Sequence, residues 1–164
     1  MAGERAFLKM PSLMRRLSTR MSVLLLAAIA SVGLIIAGAL AQPRCTLVSG
    51  DDTVSVPTSS LASGSVEFFC YRDSAGRKLR FILARASDGK VRSVMDACSQ
   101  CYSFHKGFSA SSKGLVRRLC GNRYALDKMD KGKASCVPIA APSREENGRI
   151  SIRIADLEKM SWLF

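Results

Sequence analysis

Four sulfurs able to serve one metal are bunched in the second half of this 164-residue chain: Cys98 and Cys101 as C-x2-C, then Cys120 and Cys136, each a further loop away. Four thiolates complete the shell of a tetrahedral ion or of an iron-sulfur cluster, and a two-residue spacer lets one tight turn aim two sulfurs at a single centre. The other two ligands must come from separate segments. With Cys45 and Cys70 the cysteines number six, an even count equally compatible with disulfide staples in an oxidising compartment.

Missing residues narrow the chemistry. His105 is the only histidine, whereas Rieske and blue-copper centres each need two imidazoles. Covalent haem attachment needs a histidine directly after the second cysteine, where Tyr102 stands. A Ser-His-Asp or Cys-His hydrolase would rest on His105, which lies in YSFHKGF without an orienting partner, so enzyme catalysis is not expected. His105 itself is readable as a ligand in C-x2-C-x3-H or as an exposed or hydrogen-bonded side chain. A Cys98/Cys101 exchange pair of the thioredoxin kind wants a βαβ setting that the surrounding pattern does not supply. Asp51 and Asp52, adjacent in a Gly/Ser-rich stretch, read as solvated.

Charge points toward the sulfurs as well. Lys106, Lys113, Arg117, Arg118 and Arg123 lie between Cys101 and Cys136. Cations there would favour thiolates and partly offset the negative charge of a metal held by four of them; a solvated basic loop reads equally well. Asp96 is readable as capping the turn carrying Cys98 and Cys101 through its carboxylate, or as an ordinary helix cap.

The elements that must position these residues are mostly strands. Residues 65–72 (SVEFFCYR), 79–86 (LRFILARA) and 90–95 (KVRSVM) are strand-like, punctuated by Asp73-Ser74-Ala75-Gly76 and by Asp88-Gly89, read as a tight type I′ turn. They predict a three-stranded antiparallel meander whose third strand gives way at Asp96 to a cysteine-rich region of short turns. Cys70, in an apolar strand, reads as packed like a small hydrophobe. Gly148 leads into RISIRI, with Ile150, Ile152 and Ile154 on one face, and a short helical tail over residues 155–160 follows. The expected fold class is α+β, mainly β.

Upstream, residues 21–41 carry no charge and follow Arg15, Arg16 and Arg20, which predicts a signal peptide or signal-anchor helix over residues 1–41. Ala39-Leu40-Ala41 offers a cleavage site; uncleaved, the run is long enough to span a bilayer. Either way the positive-inside rule exports the remainder. Pro43 and Arg44 argue against lipidation at Cys45, and Arg15-Arg16-Leu17 reads as an ordinary basic leader more readily than as a twin-arginine signal. Residues 42–64, rich in Ser, Thr, Pro and Asp, read as a linker, leaving 65–164 as the cysteine-rich domain. The net charge is +12, and beyond the first twenty residues, which hold five of the 25 bases and one of the 13 acids, it is still +8. Export removes nucleic acid as the expected partner; acidic lipid, an acidic protein or a metal-thiolate centre remain.

From about Glu67 to Leu157 the chain resembles the FtrD-like membrane iron-sulfur proteins. The resemblance rests on Asp73-Ser74-Ala75-Gly76, Asp88-Gly89-Lys90-Val91-Arg92, Asp96-Ala97-Cys98-Ser99-Gln100-Cys101-Tyr102, His105-Lys106-Gly107-Phe108, Cys120-Gly121-Asn122-Arg123-Tyr124 and Cys136-Val137-Pro138-Ile139. It implies that Cys98, Cys101, Cys120 and Cys136 ligate an iron-sulfur cluster or a mononuclear metal, iron or zinc. It further implies a periplasm-facing or periplasmic accessory protein that passes electrons or iron to a membrane iron permease working with a periplasmic iron-binding protein. Where the family commonly has a second C-x2-C, Arg117 replaces its first cysteine, and Ala134-Ser135 replaces Gly-Gly before Cys136. The rival expectation is an extracytoplasmic interaction domain stapled by disulfides and holding no metal.

Overall fold

The computed structural model describes residues 44–131 and 136–164. Its centre is a five-stranded sheet, which takes in the expected meander: β3 (Val66–Arg72), β4 (Lys78–Arg85) and β5 (Val91–Cys98), antiparallel in that order. β1 (Thr46–Val48) lies parallel to β3 at one edge, and β9 (Pro138–Ala140) antiparallel to β5 at the other.

β4 explains the layering. Side chains alternate across a strand, and β4 is apolar at both parities. Leu79, Phe81 and Leu83 join one core with Val54, Val56, Met95, Ile150, Ile152 and Leu157. Ile82 and Ala84 join a second with Phe68, Val94, Cys98, Phe108, Leu115 and Met129. The first core is closed by a small sheet of β10 (Arg144–Glu146), β11 (Arg149–Arg153) and β2 (Thr53–Pro57), with helix α1 (Ile154–Lys159) following β11. The second is closed by another, β6 (Phe108–Ser111), β7 (Gly114–Arg117) and β8 (Arg123–Tyr124). A strand covered on both faces reads as a near-continuous apolar run, which is what LRFILAR is. As expected, Ile150, Ile152 and Ile154 are all buried.

The structure corrects several expectations. The expected linker, over its described residues 44–64, supplies β1 and β2, with Val54, Val56 and Leu61 in the core. Its few apolar residues alternate, and a strand needs only one apolar face when Ile150 and Ile152 of β11 lie directly opposite. The cysteine-rich stretch is not all turns, since β6, β7 and β8 build a sheet of their own. β5 runs on through Asp96 and Ala97 to Cys98 because both flanks of that segment are buried. At Asp88-Gly89 only the glycine has positive φ, +78°, and Gly89 N-H donates to Ala86 O while Ala86 N-H donates to Lys90 O. That is a three-residue loop with a left-handed glycine. A pair with positive φ at both positions occurs instead at Asn147 (+50°) and Gly148 (+69°), joining β10 to β11.

Cys70 is buried but is no isolated small hydrophobe: it forms a disulfide with Cys45, tying β3 to the segment that enters β1. The signal or anchor expectation for residues 1–41 lies outside the described residues. Among the described residues no helix is long and apolar enough to cross a membrane.

Candidate metal centre

Cys98 is the last residue of β5 and is fully buried. Cys101 N-H donates to Cys98 O at 3.3 Å, the tight turn that the C-x2-C spacing anticipates. A short 3-10 turn, Tyr102–Phe104, follows, and His105 closes it in the left-handed region at φ +48°. The chain then returns along β6 and β7. Pairing of β9 with β5 sets Pro138 opposite Cys98, so Cys136, two residues earlier, arrives beside the C-x2-C turn. Strand register thus joins residues far apart in sequence.

The sulfurs of Cys98, Cys101 and Cys136 all lie within 4.8 Å of one another, and those of Cys101 and Cys136 are 3.9 Å apart. Around an ion with bonds of about 2.3 Å to sulfur, tetrahedral geometry puts neighbouring sulfurs roughly 3.8 Å apart. The donor set therefore fits a thiolate-held metal. Cys120 stands outside the trio, exposed in the turn between β7 and β8, where Gly121 N-H donates to Arg117 O. It is still close enough for its charge to push up both the Cys136 thiol and the Tyr124 hydroxyl. The hydrogen bond with Cys101, burial, and the neighbouring sulfurs together push Cys136 up to about 11. All four of these cysteines are free thiols, while Cys45 and Cys70 are paired. His105 is exposed and is not part of the sulfur group.

Charge beneath the turn is organised differently from the expected belt. Lys106, Lys113 and Arg123 are exposed and Arg118 is half-buried, but Arg117 is 1% exposed. Its Nη1 donates to Gly107 O and its Nη2 to Cys101 O, both at 3.0 Å, and its guanidinium carbon lies 5.3 Å from the centre of the Phe108 ring. Arg117 thus holds the backbone of the C-x2-C turn.

Asp96 does not cap that turn. Its Oδ1 accepts from Phe108 N-H at 2.7 Å and its Oδ2 from Arg80 Nε at 2.8 Å. Burial pushes its carboxyl up, against the lowering by Arg80, by the Phe108 N-H and by the charge of Arg117. The side chain points toward β6 because it belongs to a strand, where alternate residues face opposite layers. Gly107 makes room for it: at φ +58°, a Cβ there would stand 2.4 Å from Asp96 Oδ1. Tyr124 donates its hydroxyl to Cys136 O, pinning the backbone that carries the third sulfur of the group.

Arg117, Gly107 and Tyr124 were not singled out from sequence as structural supports of the turn. Signals existed: Arg117 is two residues after Leu115, hence on the same strand face, and both are buried.

A family model described as membrane iron-sulfur containing protein FtrD-like matches residues 61–164. No curated protein matches the chain. A crystal structure of a protein assigned as the small subunit of an NADH-dependent nitrite reductase from Mycobacterium tuberculosis is similar at 17% identity with a TM-score of 0.38, over 63% of this chain and 96% of that one. At that score the likeness carries no functional weight.

Proposed function

The chain belongs to the FtrD-like family of membrane iron-sulfur containing proteins, and from that premise we propose that Cys98, Cys101, Cys120 and Cys136 hold iron in an extracytoplasmic accessory protein. The observation that carries the reading is the convergence of three free sulfurs within 4.8 Å. Iron bound there would supply a one-electron couple. Cys98 anchors the site from the core and Cys101 and Cys136 close it toward the surface. Cys120 completes the shell from its exposed turn. Lys106, Lys113 and Arg123 offset the charge of four thiolates. Three sulfurs this close together suit a single tetrahedral ion better than a four-iron cluster, in which each cysteine would bind a different iron.

The task that suits such a centre is passing electrons or iron to a membrane iron permease that works with a periplasmic iron-binding protein. The Cys45–Cys70 disulfide supports an oxidising compartment such as the periplasm, and residues 1–41 would deliver or anchor the domain there. Anaerobic purification followed by visible absorption, iron and zinc analysis and acid-labile sulfide tests the reading. Coloured protein with iron near one per chain and no labile sulfide is expected; labile sulfide equal to iron would replace the single ion with a cluster. Colourless, metal-free protein from an iron-replete, oxygen-free preparation would overturn it.

One observation favours a second reading. The Cys101 and Cys136 sulfurs, at 3.9 Å, need only a small shift to bond, which would make this a disulfide-stapled interaction domain. Alkylation under denaturing conditions with chelator, before mass measurement, separates the two: four modified thiols per chain support the metal site, and only Cys98 and Cys120 modified supports the staple.

A further inference from the structure

Among the described residues four large apolar side chains are exposed, Leu47, Phe104, Leu119 and Trp162, and three of them stand about the C-x2-C turn. Phe104 ends the 3-10 turn that follows Cys101 and is 60% exposed. Trp162, 55% exposed, packs edge-on against Tyr102 of that turn with ring centres 4.8 Å apart. Leu119 follows Arg118, whose N-H donates to Gly107 O and so brings the β7–β8 turn alongside. Bases surround these side chains. Lys106 is exposed two residues after Phe104, and the exposed Lys78 borders the same depression as Tyr102, His105 and Phe164. Arg72, also exposed, lies opposite Lys78 in the β3–β4 register. No acid occurs between Asp96 and Asp127, and Asp73 and Asp96, at this end of the sheet, are buried and bonded to Arg77 and Arg80. Asp127 and Asp130 act instead on Arg92, near the start of β5, whereas Cys98 is at its end.

We propose that this face docks on an anionic lipid surface, with Trp162 and Phe104 in the headgroup layer and Arg72, Lys78 and Lys106 against the phosphates. Tryptophan is favoured at a membrane–water interface because its ring is apolar while its N-H stays wet. Bases beside an anionic leaflet add an attraction that salt weakens. Two observations favour lipid over an acidic protein. The chain belongs to a family of membrane proteins. The uncharged run of residues 21–41 ends three residues before Arg44, where the described domain begins, so a chain held in a bilayer by that run keeps its domain within reach of headgroups. The docking sets the sulfur-bearing turn toward the membrane, but it stands on exposure and charge, independently of what the thiols hold.

The experiment reconstitutes the full-length protein in vesicles of phosphatidylcholine with and without phosphatidylglycerol, the phosphatidylcholine carrying either brominated or plain acyl chains. Trp162 is the only tryptophan, so quenching by bromine reports one position, and the ratio between brominated and plain vesicles cancels absorbance by bound iron. Strong quenching is expected with phosphatidylglycerol. It should fall severalfold without that lipid, at about 0.5 M salt, and in the double variant Lys78→Glu/Lys106→Glu, both positions being exposed. A Trp162 reached by aqueous acrylamide and untouched by brominated lipid would overturn the assignment. Equal quenching in the charge-reversed variant, or in phosphatidylcholine alone, would do the same. Shielding of Trp162 only on addition of a poly-glutamate peptide would give the face to an acidic protein and overturn the lipid assignment. Failure of iron loading in the same preparation bears on the metal centre alone.

Discussion

Arg117 shows how one residue can change what a motif needs. Its guanidinium holds the carbonyls of Gly107 and Cys101, so a residue with no sulfur supports the turn that carries two of them. Truncating it leaves both carbonyls without their charged donor, and bonds of that kind contribute about 1.5–3 kcal/mol each. Arg117→Met is therefore expected to destabilise the domain by roughly 3 kcal/mol, measured by urea denaturation. Among the thiols the effects should be graded by position. Cys98→Ser and Cys136→Ser are expected to abolish stable iron binding, since each removes a member of the converged trio. Cys120→Ser, altering an exposed thiol outside the trio, should leave weak, exchangeable binding; iron-to-protein ratios after desalting check the order.

At the scale of elements, the turns carry much of the specification. The β3–β4 and β4–β5 hairpins each place a carboxylate at the loop. Burial alone would raise Asp73, but the Arg77 backbone N-H and guanidinium overcome it and hold the carboxyl low. The Arg92 side chain and the Lys90 N-H bring Asp88 down to about 2. A carboxyl lowered in the folded state stabilises above its unfolded value, here 3.8, and the contribution is lost as pH falls through the folded one. Denaturant midpoints should accordingly fall between pH of about 4 and about 2, and Asp88→Asn should flatten part of that decline. Gly107→Ala is expected to be costlier than Gly148→Ala: both glycines have positive φ, but only the first would drive a Cβ into Asp96. At Gly148 the nearest foreign atom is 3.9 Å away, leaving a backbone cost of about 1–2 kcal/mol. Thermal melts of the two variants test the ranking.

For the whole molecule, the Cys45–Cys70 disulfide closes the edge of the central sheet while the sulfur trio joins the end of β5 to the approach to β9. Replacing Cys45 and Cys70 together by alanine should cost about 2–4 kcal/mol without changing iron content, a combination that melting and metal analysis read independently. What was legible in the sequence was local. The apolar runs of β3 and β4, the isoleucine face of β11, the short tail helix and the C-x2-C turn are all encoded by neighbours a few residues apart, where period and turn chemistry act. Strands inside 42–64 were hidden because β2 buries only one face, and that face makes sense only opposite Ile150 and Ile152. The residues by themselves determined that thiols and their spacing suit a metal and that the body is mainly β. Which cysteines pair, which three converge, and that Arg117 lies beneath them and not in solvent were decided by tertiary structure, because each depends on strand register and layer packing between segments that no local pattern connects.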